Sequence, residues 1–299
     1  MRACITMSAT PASSTTVGNK QLMSFAHKNR TVYLVGTMHY NTASVDLAAS
    51  TVRGLAEKGE LAAVVLETCE KRWEKTLAFQ PRGSFARKLL DNEFQSAQEA
   101  AGEASIVLGD QGIADLGASL QALTKATLKD LMSPSGWKAY VDDVRSAVES
   151  ELAPVPGVGI AHPGELFDTK LLMNLPVSLF RYPLAWLLKS PKLIVPLISF
   201  FYGISILPTA VESIQDAETM SLAENLVTDF FLVLDILQVT ILTRCFLVAL
   251  LRDRNDILAN SISKACEDAK EGESVVAILG AAHLNGVQRR LWEGQGIPK

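Results

Sequence analysis

Short apolar runs alternate with amphipathic helical segments over much of the chain. β-Branched and aromatic residues fill Thr31–Val35, Leu61–Leu66 is wholly apolar, and Ser274–Leu279 is a third run of this kind. Apolar runs of this length, bounded by glycine or polar residues, are typical of buried strands. Between the first two runs, apolar residues recur at helical spacing after Ser44, a residue suited to cap a helix. The pattern predicts an α/β fold with a central, largely parallel or mixed sheet flanked by helices. A strand–helix–strand unit at 31–66 would normally place its strands side by side.

The middle of the chain has a different pattern. The stretch 172–208 is strongly apolar and broken by prolines, and 230–251 is apolar over a length that could cross a bilayer. The second stretch also carries an aspartate, a glutamine and an arginine, and charges within a span need partners. It is therefore either a long core helix or a membrane span, and the first stretch could dip into lipid as an interfacial hairpin. We expect a mostly helical, apolar insertion at about 113–251 within one domain of residues 31–292.

The N-terminal 30 residues form a separate segment. Residues 1–30 contain four basic residues and no acidic one, and they are rich in Ser, Thr and Ala without a continuous apolar run. This composition is typical of a transit peptide for an organelle, either plastid or mitochondrion. A short disordered tail, on a cytoplasmic protein, is the alternative.

Composition excludes several classes of protein. The formal net charge of -4 argues against a nucleic-acid-binding protein, because no basic face is needed to explain the composition. The four cysteines form no C-x-x-C pair, which argues against a zinc ribbon or a disulfide framework and favours a reducing compartment. No glycine-rich phosphate-binding motif and no G-x-S-x-G motif is present.

Two predicted strands end in the same motif. Val32–His39 reads VYLVGTMH and Val275–His283 reads VVAILGAAH, so each strand stops at a glycine and a histidine follows three residues later. These are two of only four histidines in the chain. Ligands of open α/β sheets bind at the carboxyl ends of the strands. We therefore expect His39 and His283 to share one site.

Carboxylates follow two further strands. Glu67 comes directly after the second strand, and Asp110 follows a short strand at Ile106–Leu108. Two imidazoles and two carboxylates could hold a divalent metal ion or perform general acid–base chemistry without one. For Glu67 the structural alternative is a buried ion pair with Arg72 or Arg254. For Asp110 it is an ordinary turn residue.

Five segments in the same order resemble the TraB/PrgY family of pheromone-shutdown proteins, which is related to the TIKI, GumN-like and ChaN–erythromycin esterase-like group. The segments are VYLVGTMHYNTASVD, LAAVVLETCEKR, QEAAGEASIVLGDQ, LRDRNDILANSI and VVAILGAAHLNGV. They carry His39, Glu67, Asp110, Arg254 and His283. The chain departs from the family pattern at Gln111, where arginine is usual. It departs again at Asp253 and Asn255, which replace glutamate and aspartate.

The resemblance implies an α/β domain with the two G-x-x-H histidines and a glutamate at its site, residues that in the TIKI relatives are associated with metal-dependent peptide cleavage. Together with the convergence of the strand ends, it leads to the hypothesis of a metal-dependent hydrolase that acts on a peptide or protein substrate. A divalent ion (Mn, Co or Zn) would be held by His39, His283 and Glu67, and Glu67 could instead be the general base. Asp110 would orient an imidazole, and Arg254 would pair with a carboxylate or with a substrate carboxyl group. Glu67, Arg254 and Asp110 are the expected catalytic residues.

A different class of function stays open. The same fold could bind peptides or tether organelles at a membrane without turnover, which is proposed for some members of the TraB branch. Membrane association would then use 172–208 or 230–251, the two apolar stretches.

Overall fold

A computed structural model gives the fold of residues 15–16, 21–153, 169–189 and 222–293. Most of the predicted tail and the second half of the run 172–208 lie outside these residues. In the described part of the chain, six strands form one sheet: β1 (Thr15–Thr16), β2 (Leu22–His27), β3 (Arg30–Thr37), β4 (Leu61–Leu66), β5 (Ser105–Leu108) and β6 (Ser274–Gly280).

Eleven α-helices lie in the same described ranges. They are α1 (Thr42–Glu57), α2 (Glu70–Phe79), α3 (Phe85–Leu89), α4 (Glu93–Ala100), α5 (Ile113–Asp130), α6 (Pro134–Ala147), α7 (Thr169–Met173), α8 (Leu175–Lys189), α9 (Leu222–Arg244), α10 (Asp253–Asp268) and α11 (Leu284–Glu293). Other helical segments are the π-helical Val148–Leu152 and Cys245–Arg252 and the 3₁₀ turn Ala281–His283.

The sheet is mixed, with strand order β1-β2-β3-β6-β4-β5. Strands β3, β6, β4 and β5 are parallel, whereas β1 and β2 run antiparallel at one edge. The fold class predicted from the sequence is therefore confirmed. The expectation that β3 and β4 are neighbours is wrong, because β6 lies between them. All seven residues of β6 are buried, and its apolar character suits the middle of the sheet.

The position of β6 brings the two histidine motifs together. Gly36 pairs with Leu279 and Thr37 with Gly280, so β3 and β6 end side by side at the same edge of the sheet. The Thr37 hydroxyl donates a hydrogen bond to the Leu279 carbonyl at 3.0 Å and ties the two strand ends together. We call this edge, where the parallel strands end, the carboxyl edge.

A hairpin extends the fold into the predicted tail. Strand β2 pairs with β3 from Leu22 opposite Val35 to His27 opposite Arg30. The intervening Lys28 and Asn29 both have positive φ, 50° and 60°, as a tight two-residue hairpin turn requires. The predicted segment 1–30 contains β2 and the first residue of β3, so a boundary at residue 30 would separate two paired strands. Leu22, Met23 and Phe25 of β2 are buried in the core, although the composition of the surrounding segment resembles a polar tail.

Helices cover both faces of the sheet. On one face, buried side chains of α10 and α11 pack on the strands: Leu258, Ile262, Leu284 and Leu291. On the other, α1, α2 and α4 supply Ala48, Val52, Trp73 and Ala97. Complete burial of a large aliphatic side chain contributes about 1.5–3 kcal/mol, so this core fixes the strand ends that carry the site.

The second apolar stretch belongs to a long helix. From Asp229, within α9, the helix continues without a break through the π-helical segment and α10 to Asp268. By length and composition it could cross a membrane, and only 33% of its most apolar window is buried. Phe230, Val233 and Ile236 are exposed, whereas Arg244 is buried and paired with aspartates of α5 and α6 at 2.6 and 2.8 Å. The N-terminal half of this helix therefore exposes large apolar side chains within the described structure.

Candidate functional site

Three predicted site residues surround Gly280 at the carboxyl edge. A Cβ atom built on Gly280 would lie 3.3 Å from Glu67 Oε2, 3.6 Å from His39 Nε2 and 3.5 Å from His283 Cδ2. Each comes from a different strand end: His39 follows β3, Glu67 follows β4 and His283 follows β6. A side chain at position 280 would point into the space between them. The absence of one leaves a small volume bounded by two imidazoles and a carboxylate.

His39 is anchored through one ring nitrogen. Its Nδ1 is hydrogen-bonded to Glu93 Oε1, and the backbone N–H of Tyr40 donates to Glu93 Oε2 at 3.2 Å. Because a carboxylate only accepts, Nδ1 of His39 carries the proton and Nε2 faces Gly280 and Glu67. Burial alone would lower the pKa of His39, but the neighbouring Glu93 carboxylate raises it above its ordinary value.

His283 is anchored in the same way. Its Nδ1 lies 2.6 Å from Asn255 Oδ1, while the Asn255 amide nitrogen donates to Glu151 Oε2 at 2.5 Å. Glu151 is held in turn by Arg290 at 2.9 and 3.0 Å. Since the amide nitrogen faces a carboxylate, the amide oxygen must accept from His283, and Nδ1 again carries the proton. The remaining Nε2 of His283 lies 3.2 Å from Glu67 Oε1.

Glu67 lies at the centre of these contacts. Its Oε1 accepts from Arg254 at 2.5 Å, and its Oε2 accepts from the backbone N–H of Gly280 at 2.5 Å. Its own backbone N–H donates to the Ile278 carbonyl at 3.2 Å, which holds it beside β6. Burial alone would raise the pKa of Glu67, but His283, Arg254 and His39 hold it well below the usual range. The buried ion pair of Glu67 with Arg254, foreseen as an alternative, is therefore present.

Asp110 and Arg254 form the layer behind Glu67. Arg254 Nε donates to Asp110 Oδ1 at 3.0 Å, Arg254 Nη2 also bonds the same carboxylate, and Arg72 approaches Asp110 Oδ2 at 2.5 Å. Burial alone would raise the pKa of Asp110, but Arg254 and Arg72 lower it. The expectation that Asp110 orients an imidazole is wrong, because the Asp110 carboxylate contacts the guanidinium groups of Arg254 and Arg72 instead. Asp110 fixes Arg254, and Arg254 fixes Glu67.

The chemistry of the three central donors fits a divalent metal ion. Protein imidazoles that bind metal through Nε2 usually donate Nδ1–H to a carboxylate or carbonyl, as both histidines do here. Two imidazole nitrogens and a carboxylate are suitable ligands for Mn, Co or Zn. Among the described residues, however, no three His, Cys, Asp or Glu side chains are already arranged to hold an ion. Their present positions serve an ion-pair network around Glu67.

Several site residues were missed by sequence reasoning. Glu93 begins α4, Asn255 lies on α10, and Glu151 lies in a π-helical turn, so none of them follows a strand. Asn255 had one signal, since it replaces the aspartate of the resembled family pattern. Tyr182 of α8 is stacked on the His39 ring, with centroids 5.7 Å apart and planes 7° apart. No local pattern links this apolar helix to a strand end.

Comparison with known proteins yields no assignment. No protein-family model and no curated protein matches this chain. The resemblance to the TraB/PrgY family therefore stays a prediction from the sequence motifs.

Proposed function

We propose that this protein is a TraB/PrgY-like, metal-dependent hydrolase that acts on peptides. The observation that carries the proposal is the matched anchoring of two imidazoles. His39 and His283 come from opposite ends of the chain, yet each has Nδ1 bound to an acceptor and its remaining edge near Glu67. Two histidines that only filled the core would not both need an acceptor on Nδ1 and a second ring edge near the same carboxylate.

In this proposal His39, His283 and Glu67 hold the ion. When bound, such an ion polarises a carbonyl and activates a water molecule for hydrolysis. Glu93 and Asn255 accept from Nδ1 of the two imidazoles, so Nε2 is the nitrogen that would bind the ion, and His283 would exchange its present contact with Glu67 Oε1 for that ion. Glu67 acts as a ligand and not as the general base, because charged and backbone donors occupy both of its oxygens and keep it ionised.

Arg254 and Asp110 act as positioning residues in this scheme. Arg254 is buried between two carboxylates and its guanidinium group is committed to them. It therefore fixes the orientation of Glu67 instead of binding a substrate carboxyl group, the other role expected for it.

The test is peptide cleavage by the purified full chain. A library of quenched fluorescent peptides is incubated with the protein after chelation and again after Mn, Co or Zn is added. We expect metal-dependent cleavage that Glu67→Gln and His283→Ala reduce by more than the 10- to 100-fold typical of a residue that only supports a ligand. His27→Ala, which changes a histidine of β2, is the control and should retain activity. The proposal would be refuted if no peptide were cleaved after any of the three metals was added, or if Glu67→Gln kept full activity.

Membrane association is a second candidate, favoured by the exposed apolar side chains of α8 and α9. Leu179 and Phe180 on α8 and Phe230 and Val233 on α9 are 64–66% exposed. Exposed apolar patches of this kind mark contact with lipid or with a partner. We propose a lipid bilayer as that partner, through α8 and α9.

Flotation with liposomes tests this candidate. The full chain should float with neutral phosphatidylcholine vesicles and resist release by high salt, because apolar insertion is not screened by salt. Recovery of the protein in the unbound fraction without detergent would refute membrane association and leave the hydrolase proposal untouched.

A further inference from the structure

Lys189, the last residue of α8, has an unusual set of partners. Its ammonium group donates to the Tyr40 hydroxyl at 3.1 Å and to Thr76 Oγ1 at 3.3 Å, and it lies 5.7 Å from the centre of the Tyr40 ring. Among the described residues no carboxylate is within ion-pair distance of it. Burial lowers the pKa of Lys189 to about 8, although Glu93 opposes the shift. A half-buried ammonium is thus solvated by two neutral hydroxyls, and the part of the chain that the structure describes gives it no counter-charge.

The Tyr40 ring is held in place by a strained backbone. Tyr40 has φ of 62°, which bulky residues rarely adopt. Its N–H donates to the same Glu93 that anchors His39. Backbone strain of this kind persists where the surroundings enforce it and is concentrated at functional sites. The His39 anchor and the position of the Tyr40 hydroxyl therefore depend on one carboxylate.

Aromatic rings connect Lys189 with the metal-binding histidine of the proposed function. Tyr182 is stacked on His39, lies 6.0 Å from the Tyr40 ring and lies 5.7 Å from the Trp186 ring. Tyr182 and Trp186 are 38% and 42% exposed, so this aromatic wall faces solvent. It offers apolar contact area that ends at His39 on one side and at a cation on the other.

We propose that Lys189 and the Tyr40 hydroxyl form a carboxylate-binding subsite that selects the peptide substrate. This inference rests on the proposed hydrolase function and names its substrate class: peptides with a carboxylate next to an apolar side chain. The apolar side chain packs on Tyr182 and Trp186, and the carboxylate supplies a counter-charge that no described residue gives Lys189. The carboxylate is either a free C-terminus or an acidic side chain, because both present the same group.

Binding of small probes to the full chain tests the subsite without turnover. The probes are N-acetyl-Phe-Gln amide, the same dipeptide with a free C-terminal carboxylate, and N-acetyl-Phe-Glu amide, each titrated by calorimetry. We expect at least one acidic probe to bind about tenfold more tightly than the neutral one, as for hydrogen bonds to charged groups. The acidic probe that binds more tightly than the neutral one shows whether the carboxylate is a free C-terminus or an acidic side chain.

Matched variants decide whether Lys189 is responsible. Lys189→Met should bind all three probes alike, and Lys189→Arg should keep a preference because it keeps the charge. Lys170→Met, which removes an exposed lysine of α7, should behave as wild type. Equal binding of all probes to wild type, binding of none, or an unchanged preference in Lys189→Met would overturn the proposal. Thermal unfolding of each variant checks that the fold is intact.

The two proposals fail separately. If metal-dependent cleavage is found but acidic probes show no advantage, the subsite is wrong and the hydrolase stands. If the acidic preference depends on Lys189 but no peptide is cleaved with any metal, the subsite stands as a binding site and the hydrolase is wrong.

Discussion

The carboxyl edge of the sheet buries charged side chains, whereas the first half of α9 exposes apolar ones, and both depart from the usual distribution of side chains. At the carboxyl edge, Glu67, Asp110 and Arg254 are charged and buried. On α9, Phe230 and Val233 are large, apolar and about two-thirds exposed. Charged residues are rarely buried unless paired, and large exposed apolar patches usually mark an interaction surface. The buried charged groups at the carboxyl edge are paired with one another, whereas the apolar side chains of α9 face outwards.

One continuous helix joins the two regions. The helix from Asp229 to Asp268 begins with the exposed apolar face and later places Arg254 and Asn255 in the site. A π-helical segment, Cys245–Arg252, lies between them, and such insertions are frequent near functional sites. Substitutions along this one helix should therefore have very different effects, according to the region they touch.

The largest effect is expected from removing the central cation of the carboxyl edge. Arg254→Met leaves Glu67 and Asp110 buried without their shared partner, which should cost about 3–5 kcal/mol of unfolding free energy. Chemical denaturation measures this loss. The exposed Arg53→Met on α1 is the control and should stay within about 0.5 kcal/mol of wild type. Equal, small effects of both substitutions would mean that the charge network contributes little.

A smaller, pH-dependent effect is expected at Asp110. Asp110→Asn weakens hydrogen bonds to Arg254 and Arg72 and should cost about 1.5–3 kcal/mol near neutral pH. The pKa of Asp110 is lower in the folded chain than its unfolded value of about 3.9. Its ionised form therefore stabilises the fold above that value, and the benefit is lost as the pH falls through the folded pKa. Urea unfolding between pH 7 and pH 3 should show the two proteins converging, and a constant difference would contradict the assignment.

Substituting alanine for each of two glycines should change the stability in opposite directions. A Cβ at Gly286 of α11 would lie 2.1 Å from Asn255 Nδ2 and 2.2 Å from Glu151 Oε2, so Gly286→Ala must displace the pair that anchors His283. Overpacking of this kind costs about 1–3 kcal/mol. Gly54 of α1 has nothing within 4 Å, so Gly54→Ala should stabilise by about 0.4–1 kcal/mol. Thermal unfolding compares them, and stabilisation by both would show that the anchor tolerates displacement.

The smallest effect on stability is expected on α9. Phe230→Ser combined with Val233→Ser should change the unfolding free energy by less than about 0.5 kcal/mol per substitution, because both side chains are already exposed. The same pair should reduce recovery with phosphatidylcholine vesicles. Leu258→Ala, in the buried part of the same continuous helix, should instead cost about 2–5 kcal/mol. A stability loss from the α9 pair as large as that of Leu258→Ala would show that its face is packed.

Local patterns predicted the strands well because burial leaves a continuous apolar signature. They also predicted that polar groups after those strands meet, since parallel strands share an edge. They did not give the position of β6 between β3 and β4, which depends on long-range pairing. They also missed Glu93 and Tyr182, because helices deliver these side chains to His39 through tertiary packing alone. The hairpin strand β2 was missed because the Ser-, Thr- and Ala-rich segment before it masks its short apolar run, whose pairing with β3 appears only in the folded chain.

The most direct test of the central claim is metal binding by single histidine variants. Calorimetric titration of the full chain with Mn, Co and Zn should show one ion bound per chain for at least one metal. His39→Ala and His283→Ala should each abolish that binding, because both imidazoles face the same carboxylate, while His27→Ala should keep it. If wild type binds none of the three, or if either site variant binds like wild type, the two histidines do not form a common centre.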